Sequence, residues 1–339
     1  MQIPDVPEHA LAQAALVLLL GALGLSVLLA VAALAFGSVA RAAGRRRARR
    51  AARWTPALMA LLDGELAPEA FAALVRPRHR EDMLRFLVHH ALRLRGDDRR
   101  RVAAAAGPLR PLARRRLASR SPEWRAFGLH ALGLLSDPPP LDVLAASLRD
   151  PSPRVAMAAA QALAHTEAPD AIDRLLPALP RLAAAPASAV ASLLTQFGLR
   201  AGAPITRVLA DPATDDRTRV AVAEALQRLS FVPSAGPARA LLGRPGLPRE
   251  SQAALLRLLG EVGGPAEAAS VRPFCRHADP VLRGHAVAAL GRCGGPLDEA
   301  ALRQALTDPD GWVALRAAVA LGEADLPVPL PPPLPFALA

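Results

Sequence analysis

The alternation of apolar and polar positions divides this chain into three stretches. From Ala10 to Ala40 no residue is charged. A helix of that length, at ~1.5 Å per residue, exceeds the ~30 Å hydrocarbon core of a bilayer, so one transmembrane helix is predicted over 10–40. Over 54–117 apolar residues recur at helical spacing; Leu84, Leu87, Val88, Ala91 and Leu92 predict an amphipathic helix over 80–95, with Arg85, His89, Arg93 and Arg95 on its polar side. Beyond that, a helical unit repeats. An Ala-Leu-like pair precedes in turn Gly133, Ala164, Gly198, Gln227, Gly260, Gly291 and Gly322, at separations of 31, 34, 29, 33, 31 and 31 residues, and only Gln227 is not small. A period near 31 predicts stacked helix pairs.

Two features of the units support this reading. Ala131, Ala162, Ala225, Ala289 and Ala320 stand two residues before the aligned position, where a small side chain lets neighbouring second helices approach closely. Ser121-Pro122, Asp150-Pro151, Asp279-Pro280 and Asp308-Pro309 read as helix starts, an oxygen cap followed by proline in the first turn.

The runs RSPEWRAFGLHALG at 120–133, DPVLRGHAVAALG at 279–291 and DPDGWVALRAAVALG at 308–322 resemble HEAT repeats of the bacterial type also found in phycobilisome lyases. The resemblance covers residues 118–325 and implies an all-α fold: a right-handed α-solenoid of about seven HEAT-like helical pairs behind one N-terminal transmembrane helix. It also implies an Arg seven residues before the Leu of each unit, building a polar ladder between units. Arg125, Arg219 and Arg283 fit, whereas Ala156, Val190, Gln252 and Ala314 do not, so the ladder is expected to be broken. The unit at 185–198 is the most degenerate, and a bend or a binding notch is expected there.

Charge adds a topology. The net charge is +11, but residues 41–120 hold 21 Arg against 7 Asp and Glu, while 121–339 hold 20 against 21. Arg41, Arg45, Arg46, Arg47, Arg49, Arg50 and Arg53 follow the apolar stretch, and Asp5 and Glu8 precede it. The positive-inside bias puts residues 1–9 outside and the bulk of the chain in the cytoplasm; the resemblance to bacterial HEAT proteins implies that the membrane is a bacterial inner membrane. A cleaved signal peptide is disfavoured, because the basic n-region is missing and the apolar stretch is too long. The seven Arg of 41–53 are expected to contact anionic lipid headgroups, at ~1 kcal/mol each. Residues 54–117 are read as a helical cap, 118–325 as the solenoid, and 326–339 as a Pro-rich tail suited to polyproline II. A nucleic-acid-binding groove would carry its positive charge on the repeats, so no nucleic acid is expected.

The search for chemistry mainly excludes. There is no Lys, which removes Schiff-base and P-loop mechanisms. The 2 cysteines, Cys275 and Cys293, read as free thiols ending core helices; with His277 and His285 they match no compact zinc pattern. Asp97-Asp98 and Asp215-Asp216 read as solvated or capping pairs, and no hydrolase, zincin, P-loop or dinucleotide motif occurs. No catalytic residue, metal or cofactor is expected. The expected ligand is a membrane-associated protein on the concave face formed by the second helices. The columns three, six and ten residues before the aligned position nominate Phe127, His130, Arg217, Glu224, His285, Trp312 and Arg316 as contacts, Trp and Arg being favoured interface anchors. One apolar helix, a basic segment and HEAT units also resemble bacterial proteins associated with membrane glycosyltransferases of envelope polysaccharide synthesis, which implies a non-catalytic accessory scaffold. The HEAT type admits a chromophore lyase or lyase subunit as the alternative; the membrane helix and the lack of conjugation chemistry stand against it.

Overall fold

The computed structural model describes residues 51–166 and 168–322, together with Ser26, Gly44 and Arg49. The transmembrane helix expected over 10–40 and the Pro-rich tail of 326–339 lie outside the described residues, Ser26 excepted. Among the described residues no helix is long and apolar enough to cross a membrane. Of the lipid-facing arginines expected from the sequence, Arg49 and Arg53 are described, and both are exposed; Arg41, Arg45, Arg46, Arg47 and Arg50 lie outside.

Every regular element among the described residues is helical. Helices α1 (51–62), α2 (Pro68–Ala73), α3 (Arg80–Ala91) and α4 (Gly96–Ala105) come first. Helix α3 buries Met83, Leu84, Phe86, Leu87, Val88 and Ala91, the face its spacing predicts. It ends at Ala91, short of residue 95, and leaves Leu92 exposed, because the chain turns into α4 through Gly96 at a φ of 54°.

Seven helix pairs follow. Unit one is α5 (Arg110–Leu117) and α6 (Pro122–Leu135); unit two is α7 (Leu141–Ser147) and α8 (Pro153–His165); unit three is α9 (Ala171–Leu175) and α10 (Leu179–Leu182), then α11 (Ala187–Thr195). Unit four is α12 (Gly202–Ala210) and α13 (Asp216–Arg228); unit five is α14 (Ala235–Leu242) and α15 (Arg249–Val262). Unit six is α16 (Pro265–Val271) and α17 (Pro280–Cys293), and unit seven is α18 (Glu299–Ala305) and α19 (Gly311–Leu321). The first pair thus opens at Arg110, inside the segment read from sequence as cap.

The aligned glycines are close-approach sites. A Cβ built on Gly133 would lie 2.7 Å from the Ala162 carbonyl oxygen; on Gly260, 2.8 Å from Ala289 Cα; on Gly291, 2.4 Å from Ala320 Cβ. Glycine in one unit therefore packs on the alanine two places before the aligned residue of the next, which fixes the spacing at joints one–two, five–six and six–seven.

The polar ladder has two complete rungs. Arg125 donates through Nε and Nη2 to both oxygens of Asp150 at 2.9 Å, and through Nη1 to the Ser119 and Arg120 carbonyls. Arg283 pairs with Asp308 in the same way at 2.8 Å and also holds the His277 and Ala278 carbonyls. Arg219 lacks that partner, since Gly246 occupies the equivalent place in unit five; it pairs instead with Asp216 and the Thr214 carbonyl, both at 2.6 Å.

These rungs correct two expected helix starts. Asp279 does cap α17, accepting from the Val281 amide at 2.8 Å. Asp150 and Asp308 do not cap: α8 begins at Pro153 behind Ser152, and α19 at Gly311 behind Asp310, whose side chain accepts from the Trp312 and Val313 amides. An aspartate already held by an arginine of the preceding unit sits one turn ahead of the helix, where it accepts instead from the Ser152 or Asp310 amide.

Much of the basic character of 54–117 is structural. Arg116 pairs with Glu81 at 2.7 Å and lies 3.8 Å over the Trp124 ring, while Arg85 stacks on Trp124 from 4.6 Å. Arg101 donates to the Leu62 carbonyl, Arg110 to those of Ala103 and Leu135, and Arg99 is buried. These bonds seal α1 to α4 onto unit one.

Candidate functional site

The stack is looser between units two and three. Helix α11 starts at the same offset before its aligned residue as the other second helices, yet it stops at Thr195, short of Gly198, which takes a φ of 65°. Gln196 stands where five other units have alanine. Helices α8 and α11 consequently meet over far less of their length than any other adjacent pair of second helices.

A cleft of about 700 Å³ opens there, between the end of α3, the faces of α6 and α8, and the segment after α11. Leu92, Phe127 and Phe197 give it apolar walls; Gln161 and Gln196 supply amides; His130 and His165 supply imidazoles; Arg95 and Arg200 stand at its edge. No carboxylate lines it among the described residues. Burial, with His130, Arg95 and Arg99 nearby, pushes His165 down to about 4, and burial lowers His130 as well. His165 is therefore neutral at pH 7. Neither ring makes a hydrogen bond among the described residues, and Nδ1 of His130 is enclosed without a partner. Arg200 donates to the Phe197, Ala168 and Ala164 carbonyls, tying the end of α11 to that of α8, and has no carboxylate partner among the described residues.

A second polar strip runs along units three to seven. Arg228 bridges the Ser192 hydroxyl at 2.6 Å and the Glu224 carboxylate at 2.5 Å. Arg257 Nη1 lies 3.5 Å from His285 Nε2, and burial beside Arg257 and Arg316 pushes His285 down to about 4. The Arg316 stem lies over Gly284, where an added Cβ would come 3.4 Å from its Cδ. Trp312 projects from the first turn of α19, 59% exposed.

The HEAT-repeat family model matches residues 109–194 and 246–330, together just over half of the chain. The chain belongs to the HEAT-repeat family. The interval between the matched blocks opens at residue 195, where α11 unwinds. No curated protein matches this HEAT-repeat chain. Among solved structures, an engineered protein is 17% identical over 75% of this chain and 82% of its own, with a TM-score of 0.38. Kap121p bound to Pho4p is 15% identical, covering 74% of this chain and 33% of its own, with a TM-score of 0.44. Kap121p bound to RanGTP is 15% identical over 76% and 34%, also at 0.44. Such scores carry no argument about what this HEAT-repeat chain binds.

The residues nominated from sequence fall into separate places. Phe127 and His130 share the cleft wall, both half-buried and not fully outward as their columns implied. Glu224, His285, Arg316 and Trp312 lie along the strip, while exposed Arg217 borders a different hollow with Pro186, Val220 and Glu250. The column six residues before the aligned position is buried in units two, four and five, as Ala158, Ala221 and Ala254, so the accessible face is narrower than the helical wheel suggests. His165, Gln161, Gln196 and Arg200 were not singled out by sequence. The legible signal was the degenerate third unit, flanked by the uneven separations of 34 and 29 residues.

No group of three or more His, Cys, Asp or Glu among the described residues could hold a metal ion. Cys275 is only half-buried, in a short turn and not at the end of a core helix, and burial pushes its thiol up to about 11, away from reactivity. His277 accepts from the Asp279 amide at 3.0 Å, and Asp215 caps α13 by accepting from the Thr218 amide.

Proposed function

We propose that this HEAT-repeat chain is a non-catalytic scaffold that holds a protein partner on the face formed by its second helices. The observation that carries the reading is the strip ending in Trp312, a large aromatic left 59% exposed at the N-terminus of α19 beside Arg316. Trp and Arg are both enriched among the residues that anchor interfaces. Burial raises the thiols of Cys275 and Cys293, away from the thiolate that acts as a nucleophile.

Replacing Trp312 and Arg316 by alanine together will weaken partner capture by ~2 kcal/mol or more, roughly thirtyfold. Helical content will stay unchanged, because Trp312 is mostly in solvent. Copurification of full-length parent and double variant from native membranes, followed by identification of the captured proteins, reads this out. Undiminished capture by a folded double variant would remove the strip from the interface.

The scaffold is anchored, in this reading, by a single helix over 10–40 at a bacterial inner membrane, with the basic segment of 41–53 against anionic headgroups and the repeats in the cytoplasm. An accessory role to a membrane enzyme, such as a glycosyltransferase of envelope polysaccharide synthesis, fits that placement. A reporter fused after Ala339 will be active in the cytoplasm and one fused before Gln2 outside; the reverse pattern would overturn the anchoring.

A further inference from the structure

We propose that the cleft between units two and three binds an extended acidic peptide, seating a carboxylate side chain at the Arg95–Arg200 edge and an apolar neighbour between Phe127 and Phe197. This rests on the reading of the chain as a protein-binding scaffold and names the chemistry of what it holds. Four observations converge. The cleft has two arginines at its edge and no carboxylate in its described lining, so its field selects an anion. Arg95 makes no hydrogen bond or ion pair among the described residues, so its guanidinium is available. Phe127 and Phe197 make part of the apolar wall aromatic, which favours a side chain over a bare inorganic ion. Gln161 on α8 and Gln196 after α11 each offer both a donor and an acceptor, the pairing an extended peptide backbone requires.

The two imidazoles suit the same occupant. Neither His130 nor His165 has a hydrogen-bond partner among the described residues, and buried polar groups are ordinarily paired. A peptide's amide and carboxylate groups would supply those partners. The cleft is also bounded by three units and α3, so occupancy would stiffen the loosest joint of the stack.

The test is fluorescence anisotropy on the full chain with a labelled, N-acetylated probe of sequence Gly-Leu-Glu-Phe-Glu-Leu-Gly, compared with the same probe carrying Gln or Lys in place of both Glu. The acidic probe should bind at least tenfold more tightly than the Gln probe, and the Lys probe should not bind. Arg95→Glu, a surface change, should weaken the acidic probe at least tenfold, and Gln161→Trp, which fills the cleft, should abolish binding. Circular dichroism should show both variants folded. Trp312→Ala with Arg316→Ala should leave probe binding unaltered. Equal binding of the three probes, or retention of binding by both cleft variants, would overturn the proposal. Competition by millimolar inorganic phosphate or acetate as effective as by unlabelled peptide would also overturn it, reducing the cleft to a small-anion site. If no probe binds while membrane copurification still depends on Trp312 and Arg316, the cleft assignment fails and the scaffold reading stands.

Discussion

Gly133→Leu will lower the stability of the folded chain by about 3 kcal/mol, and Gly133→Ala by ~1–3 kcal/mol, the range for forcing extra carbon into a packed contact. The cause is local and rigid: a Cβ at Gly133 would meet the Ala162 carbonyl oxygen at 2.7 Å and Ala162 Cα at 2.9 Å. Backbone atoms cannot rotate away as a flexible side chain can, so α6 and α8 must separate by roughly 1 Å to recover the ~3.5–4.0 Å of ordinary contact. The control is Gly236→Ala in α14, where nothing lies within 4 Å of the added Cβ; stability there should hold or rise by up to ~1 kcal/mol, as glycine gives way to a better helix former. Thermal unfolding by circular dichroism measures both. A Gly133→Ala protein as stable as its parent would mean that the first two units are not in contact at this point.

Arg283→Met will cost about 3 kcal/mol, the lower end of what breaking a buried ion pair costs. The Arg283 and Asp308 side chains are 14% and 10% exposed, and the change strands the carboxylate together with the His277 and Ala278 carbonyls. By contrast Arg154→Met, which breaks a 3.1 Å pair with Glu123 whose side chains are 68% and 65% exposed, should change stability by less than ~1 kcal/mol. Removing both partners, Arg283→Met with Asp308→Leu, should recover part of the loss, since no uncompensated charge remains. The pair also has a pH signature. Hydrogen bonds from Arg283 hold Asp308 below the usual carboxylate range. Its contribution is thus fully present above the unfolded value of ~3.9 and is lost as pH falls towards the lower folded value. The parent should lose stability more steeply than Arg283→Met below about pH 4; identical acid profiles would contradict the assignment.

The repeat was legible because it is a local signal. A small residue at the end of each second helix, alanine two places earlier and proline near the helix start are demands one helix makes on the residues touching it, and they recur wherever the contact recurs. Gly133, Gly260 and Gly291 play the part their spacing implied, and Arg125 and Arg283 form the two intact rungs. The third unit's degeneracy marked the place of the cleft, since Gln196 and the early stop before Gly198 break the same local rule.

What the cleft contains was decided only in three dimensions. Leu92, Phe127, His165 and Arg200 come from the residue after α3, from α6, from α8 and from the turn after α11, and no spacing along the chain relates them. Nor could sequence tell which arginines of the basic segment are accessible: Arg116 and Arg85 are taken up by Trp124 and Arg110 by backbone carbonyls, while Arg95 stays unpaired among the described residues. A periodic pattern encodes how a unit meets its neighbours, because that contact is repeated. A break in the pattern shows only that a contact is missing; what lines the gap depends on side chains brought together from several units at once, each of which looks ordinary in its own helix.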